Sequence, residues 1–242
     1  MKVAIIGAMD IEIKQISKLI NSPQICETGK TTFISGQYKN IELIVVKCDP
    51  GKVNAAICAQ TLILKFEPNQ IINIGVAGGT QNMQIGDVAV ATSLVQHDVD
   101  TSQVGDPVGL ISGINLIELP VDKDVADDLI KATKQAGMCA YKSIFATGDQ
   151  FVKREKINLI KNQFNADIVD MEGAAIAQAC YKSEIEFGAI RVVSDNGNAQ
   201  AEYETFKHEA ADRCEKVIEN YLNLITWVKI VDKFMWNLFG FC

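Results

Sequence analysis

Val3-Ala4-Ile5-Ile6-Gly7, followed by Ala8-Met9-Asp10-Ile11-Glu12-Ile13, sets the pattern of the whole chain. A short apolar run that stops at glycine reads as a strand buried on both faces. Ile13, Ile16 and Ile20 then share one side of a helical period, and Asp10 stands where an N-cap belongs. The unit is strand, tight turn, helix. Outward from it, residues 70–76, 87–95, 142–147, 167–170 and 188–193 read as further strands, and residues 51–66, 123–136, 153–162, 172–181 and 203–227 as helices. Residues 31–38 and 41–47, separated by Lys39-Asn40, read as a hairpin. The helix at 51–66 is so apolar that burial nearly all round is expected. Residues 101–120 form a long loop rich in Gly and Pro, a length that in compact domains usually accompanies function.

Alternating strands and helices imply a largely parallel sheet covered on both faces, and the hairpin adds antiparallel character. The expected fold is one α/β domain of three layers, α/β/α, around a mixed, mostly parallel sheet. No repeat or linker divides it. Residues 1–225 are read as the domain, and residues 226–242 as an apolar extension of its last helix. In such sheets ligands bind beyond the carboxyl ends of the strands. Gly7–Glu12, Val76–Gly79, Met171-Glu172 and Ser194-Asp195 lie at those ends.

Composition narrows the function classes. The 242 residues are 48% hydrophobic and 22% charged, ordinary for a globular protein, with a net charge of -7. That acidity, without a cluster of Lys and Arg, argues against nucleic acid as a partner. Seven scattered cysteines and two histidines show no Cys-x-x-Cys pair, so neither a disulfide framework nor a zinc site is indicated. No metal and no cofactor is expected, and the thiols read as buried in a reducing cytoplasm. Asp10 and Glu12 interrupt the first apolar run too early for a signal peptide, and no stretch is long and uncharged enough to span a bilayer.

Three carboxylates draw attention. Glu12 and Glu172 each lie in the first turn of a helix, where an acid complements the helix dipole. Asp195 ends an apolar strand, where aspartate commonly caps or turns. Each is most simply structural when taken singly. All three at the carboxyl ends of strands suggest one site. Gly75-Val76-Ala77-Gly78-Gly79 lacks the Lys-Ser/Thr of a phosphate loop and the spacing of a dinucleotide fingerprint, so it marks a tight turn or a close ligand.

Ordered motifs run across residues 1–225: Ile5-Ile6-Gly7-Ala8-Met9 with Glu12, Gly51-Lys52-Val53-Asn54, Asn73-Ile74-Gly75-Val76-Ala77-Gly78-Gly79, Gly86-Asp87, His97-Asp98, Thr147-Gly148-Asp149-Gln150-Phe151, Val169-Asp170-Met171-Glu172-Gly173 and Arg191-Val192-Val193-Ser194-Asp195. Together they resemble the nucleoside phosphorylase superfamily, and within it the bacterial 5′-methylthioadenosine/S-adenosylhomocysteine nucleosidases. The resemblance implies hydrolysis of the N-glycosidic bond of an adenine nucleoside, with a small nucleoside and water as partners, and a homodimer. Such a cleavage needs a departing purine that leaves neutral, negative charge near the cationic sugar, and an activated nucleophile. By resemblance Glu12 activates the water, with Arg191 near it. Glu172 accepts from the ribose 2′-hydroxyl and Met171 lines the ribose. Asp195 serves purine N7, positioned by Ser194. Phe151 stacks on adenine, the Val152 backbone reads its edge, Ala77 and Gly78 border base and sugar, and Met9 touches the ribose side.

Three departures from that family bear on the substrate. Val76 stands where Ser or Thr is usual. The stretch Thr101–Leu110, which in the family supplies aromatic residues over the 5′-substituent, has none; Val104 and Val108 offer an apolar wall, and Asp106 a polar one. The apolar, aromatic stretch 226–242 extends the last helix, packed on the body or a partner; an interfacial membrane anchor is the alternative. Two other functions stay open at this point. One is a phosphorylase, disfavoured because Glu12 would repel phosphate. The other is a nucleoside-binding sensor without catalysis, disfavoured because all three carboxylates are present.

Overall fold

A computed structural model describes the backbone of residues 1–197 and 200–239 and the side chains of residues 1–197 and 201–226, and the described residues form, besides a short 3-10 turn at Ser102–Val104, eleven strands and six α-helices. They are β1 (Lys2–Gly7), α1 (Asp10–Lys18), β2 (Asn21–Thr28), β3 (Thr31–Tyr38), β4 (Ile41–Lys47), α2 (Lys52–Phe66), β5 (Gln70–Asn73), β6 (Val76–Gly79), β7 (Val88–Gln96), β8 (Leu119–Pro120), α3 (Lys123–Gln135), β9 (Ala140–Thr147), α4 (Arg154–Phe164), β10 (Ala166–Asp170), α5 (Gly173–Ser183), β11 (Glu186–Asp195) and α6 (Gln200–Phe239). The expected mixed sheet is present, with β1, β4, β5 and β11 parallel and β2, β3 and β4 antiparallel.

One interruption shapes this sheet. β5 and β6 run along β11 in one continuous register, Gln70 beside Glu186 and Val76 beside Val192. The expected single strand over 70–76 is broken at Ile74-Gly75, where its other neighbour changes. β5 pairs with β1, whereas β6 pairs antiparallel with β10. Beyond the break β6, β10, β9, β7 and β11 close into a ring, because β7 also pairs with β11. The open wing from β2 to β5 and the closed ring part from each other at Gly75.

Alternating side chains of the strands fill two cores. Ala4, Ile6, Ile44 and Ala189 face α2 and α5. Val3, Ile5, Val45 and Ile190 face α1, α3 and α6. α4 covers a smaller cluster with Val95, Ala146 and Val169. Glycine lets one of these layers close: a Cβ at Gly188 would lie 2.4 Å from Val125 of α3.

Several expectations are corrected. The N-cap of α1 is Met9; Asp10 is the first helical residue and reaches Lys47 at 3.3 Å. α2 is not buried all round. Ala55, Cys58, Ala59 and Leu62 face inward, while Val53, Ile57 and Leu64 are 68%, 60% and 74% exposed. β2 carries little alternation and is exposed along most of its length, with Pro23 in it; it forms by pairing as an edge strand on β3. Of the thiols expected to be buried, Cys139 is exposed and Cys26 half-buried, and Cys242 lies outside the described residues. α6 runs through to Phe239, but the packing expected of the 226–242 extension lies outside the described side chains beyond Thr226. Among the described residues no helix is long and apolar enough to cross a membrane.

Gly188→Ala forces its methyl against Val125, and overpacking of this kind costs roughly 1–3 kcal/mol. Urea unfolding should show a lower midpoint, and adding Val125→Ala should restore part of it. An unchanged midpoint in the single variant would mean that α3 does not pack on β11 this closely.

Candidate active site

The break at Gly75 leaves the Val76 N–H without a strand partner, and Glu12 takes it. Its Oε1 accepts from Val76 N at 3.0 Å, and its Oε2 from Ala8 N at 2.7 Å and Met9 N at 2.9 Å. Gly75 is required by contact, since a Cβ there would sit 2.9 Å from Glu12 Oε1. Glu12 is 2% exposed. Burial pushes its pKa above the ordinary value, against the pull of the Val76, Met9 and Ala8 N–H groups and the Arg191 charge.

Glu172 precedes α5 as its N-cap residue, yet its side chain leaves that helix and accepts from Gly51 N at 2.9 Å. The capping role falls to Asp170, which accepts from Gly173 N at 3.3 Å. Burial, and next to it the Asp170 charge, push the Glu172 pKa up to about 7, while Arg191 and the Gly51 N–H pull it down. Asp195 is 4% exposed. Its Oδ1 accepts from Gly197 N at 2.9 Å and its Oδ2 lies 3.0 Å from Ser194 Oγ.

These three carboxylates line one cleft of about 270 Å³ along β6, together with Met9, Val76, Ala77, Gly78, Phe151, Val152, Met171 and Ser194. Antiparallel pairing of β6 with β10, and parallel pairing with β11, sets their order: Glu12 and Glu172 lie toward Val76, and Asp195 pairs at Gly78. Of the predicted site residues only Arg191 is outside the lining. It is 1% exposed beneath the floor, bound to Asp170 Oδ2 at 2.6 Å, Asn73 Oδ1 at 2.5 Å and Ile190 O at 2.9 Å. It acts on the cleft through its charge, not by contact. No residue of 101–110 reaches the cleft of its own chain, Val104 is 82% exposed, and Asp106 accepts from Thr101 Oγ1 at 2.8 Å.

The sequence reading missed Asp170, Pro50, Gln150, Ile157 and Tyr203 as cleft residues. Tyr203 comes from α6, places its ring edge-on to Phe151 at 5.8 Å, and donates to Met9 Sδ at 3.1 Å. An aromatic near the start of an amphipathic helix carries no local mark of this. Asp170 had a signal: a charged residue ending an apolar strand, in a chain where Arg191 lies inside another apolar run, 188–193.

The phosphorylase superfamily family model matches residues 2–223. The 5′-methylthioadenosine/S-adenosylhomocysteine nucleosidase of Haemophilus ducreyi is 32% identical over 92% of this chain and 98% of its own. The aminodeoxyfutalosine nucleosidase of Campylobacter jejuni is 34% identical over 84% of this chain and 90% of its own. A crystal structure of the Neisseria meningitidis 5′-methylthioadenosine/S-adenosylhomocysteine nucleosidase, in complex with methylthio-immucillin-A, superposes with a TM-score of 0.88 at 29% identity, over 91% of this chain and 98% of that one.

Removing one partner of a fully buried ion pair strands the other charge, at roughly 3–5 kcal/mol. Asp170→Asn should therefore lower the free energy of urea unfolding by that order. A loss below about 1 kcal/mol, the scale of an exposed pair, would show that Arg191 does not depend on Asp170.

Proposed function

The chain belongs to the phosphorylase superfamily, and we propose that it is a nucleosidase that hydrolyses the N-glycosidic bond of a 5′-substituted adenosine. The observation that carries this reading is the placement of Glu12 and Asp195 at different points of one β6-lined cleft, with Glu172 beside them. β6 rises roughly 7 Å from Val76 to Gly78, the scale separating a nucleophile from the far side of a purine's five-membered ring. In the proposed reaction the carboxylic acid of Asp195, steadied by Ser194, transfers its proton to N7, so the C1′–N9 electron pair leaves on a neutral adenine. Glu172 accepts from the 2′-hydroxyl and offsets the positive charge on the sugar. Glu12 takes a proton from water as its oxygen bonds to C1′. Phe151 stacks on the base, the Val152 backbone reads its edge, Ala77 and Gly78 border base and sugar, and Met9 and Met171 flank the ribose.

Donor counting supports water over phosphate. Three N–H bonds fill most of the roughly four acceptor sites of Glu12, and the remaining one can accept from water. A phosphate needs donors, and the described residues lining the cleft include no Lys, Arg or His. Val76 adds no hydroxyl. We take residues 1–225 as the catalytic domain and 226–242 as an extension of its last helix, and place the enzyme in the cytoplasm. We further read it as a homodimer. The outward apolar face of α2, with Val53, Ile57 and Leu64, supports that reading, as does a 101–110 loop that turns away from its own cleft. In a dimer this loop would cover the 5′-group in the other subunit. Its lack of aromatics leaves 5′-methylthioadenosine, S-adenosylhomocysteine and aminodeoxyfutalosine to be ranked by turnover.

Glu12→Gln and Asp195→Asn should each lower kcat by roughly 100- to 10,000-fold, with circular dichroism unchanged. Wild-type turnover in either would remove that residue from the mechanism. Adenine release should proceed in phosphate-free buffer and yield a free reducing sugar. Release that stops without phosphate, and resumes with a sugar 1-phosphate as product, would make the enzyme a phosphorylase.

A further inference from the structure

Three motifs take no part in the reaction above: Gly51-Lys52, His97-Asp98 and Gly148-Asp149. The fold gathers them at the N-terminus of α2. This helix has no cap side chain of its own. Its first free N–H groups are instead divided between two distant carboxylates. Gly51 N donates to Glu172 Oε1 at 2.9 Å, and Lys52 N donates to Asp149 Oδ1 at 2.7 Å. Asp149 is itself fastened, since its N–H donates to Asp98 Oδ2 at 2.9 Å while Lys52 Nζ donates to Asp98 Oδ1 at 2.6 Å. The Lys52–Asp98 pair is mostly buried, with side chains 17% and 18% exposed. Gly51 holds φ at +100°, a region that favours glycine, and a Cβ on it would lie 3.1 Å from Asp149 Oδ1. The turn is thus clamped between Glu172 and Asp149.

We propose that Asp149 is a positioning residue: by capping α2 it aims the Gly51 N–H at Glu172 and so holds the sugar-facing carboxylate in register, with Asp98 and Lys52 holding Asp149. This rests on the reading of Glu172 given above. Asp149 does not line the cleft, but Gln150, Phe151 and Val152, which follow it, do. One anchor therefore fixes both the base-side loop and the carboxylate beneath the ribose. Five groups face Glu172: Asp170 from β10, Arg191 from β11, Glu12 from α1, Cys48 after β4 and the Gly51 N–H. Asp170 and Glu12 favour its protonated form, and Arg191 and the Gly51 N–H favour the ionised one. Loosening Gly51 removes one of the two groups favouring the carboxylate.

The test uses the full chain. Asp149→Ala should lower kcat by roughly 10- to 100-fold, as misplacement of a reacting group does, with a smaller change in KM. The acidic limb of its kcat profile should move to higher pH. Asp149→Asn keeps an oxygen for the Lys52 N–H and should recover most of the activity. In the unliganded protein, a carbon-13 NMR titration of the Glu172 carboxyl should move upward in Asp149→Ala. In a Glu172→Gln background, the kcat loss from Asp149→Ala should shrink to the part that acts through the loop Gln150–Val152. An unmoved Glu172 titration in folded Asp149→Ala, or an equal loss in both backgrounds, overturns the proposal. If Glu172→Gln alone turns over like the wild type, the sugar-facing reading fails, and the NMR titration still decides whether Asp149 governs Glu172. If Asp149→Ala does not fold, Asp98→Asn loosens the same carboxylate and should move the titration the same way; no movement again overturns it.

Discussion

A guanidinium with no access to water organises this molecule. Arg191 and Asp170 are both 1% exposed at the side chain and 2.6 Å apart. Such a pair offsets its desolvation the better, the more of its remaining donors and acceptors are satisfied. Here Arg191 Nε has no hydrogen-bond partner among the described residues, but Arg191 also donates to Asn73 Oδ1 and Ile190 O, Asn73 donates to Ile6 O at 2.9 Å, and Thr147 Oγ1 donates to Asp170 Oδ1 at 2.5 Å. The chain of bonds runs from β1 through β5, β11 and β10 to β9. It crosses the place where the open wing and the closed ring separate, and it joins them there. Glu172 follows Asp170 by two residues, and Glu12 reaches over Gly75 toward the same cation.

That shared cation explains how two carboxyl groups survive in one buried place. Each is pushed toward its protonated form by burial, and each is drawn back by Arg191. The balance leaves them more basic than ordinary carboxylates, which fits the roles proposed above, one taking a proton from water and the other responding to charge. In the proposed reaction, a sugar that becomes positive during bond cleavage adds a second cation to the same group of acids. The site is therefore better matched to the charge distribution of the transition state than to that of the neutral nucleoside.

The alternation of strands and helices was legible because burial on both faces leaves apolar runs and because glycines punctuate them. Glu12, Glu172 and Asp195 were legible for a related reason: Glu12 and Glu172 come just after an apolar strand, and Asp195 ends one. What local sequence could not show is pairing. Nothing in Ile74-Gly75-Val76 says that the strand changes neighbours there, because both neighbours are contributed from far along the chain. Exposed β2 exists only through β3. α2 reads as buried all round because apolar character does not distinguish a core face from the outward face that carries Val53, Ile57 and Leu64. Arg191 is expected beside the nucleophile, whereas the fold puts it under the floor, held by Asp170 and Asn73, which lie far from it in sequence.

The exchange of partners along β6 bears on the chemistry as much as on the fold. Were every strand parallel, all the carboxyl ends would meet on one edge of the sheet, and the acids would crowd together there. Their mutual repulsion would force protons onto some of them. Because β10 runs against β6 while β11 runs with it, the loop after β10 and the end of β11 arrive at different points of the same short strand. Glu172 then shares Arg191 with Glu12, and Asp195 stands apart, held by Gly197 N and Ser194. Cleavage of a bond between a sugar and a base needs this division, with one group serving the departing ring and others serving the carbon it leaves. Val76, Ala77 and Gly78 give the floor between them little side-chain bulk, so a nucleoside can lie along the strand.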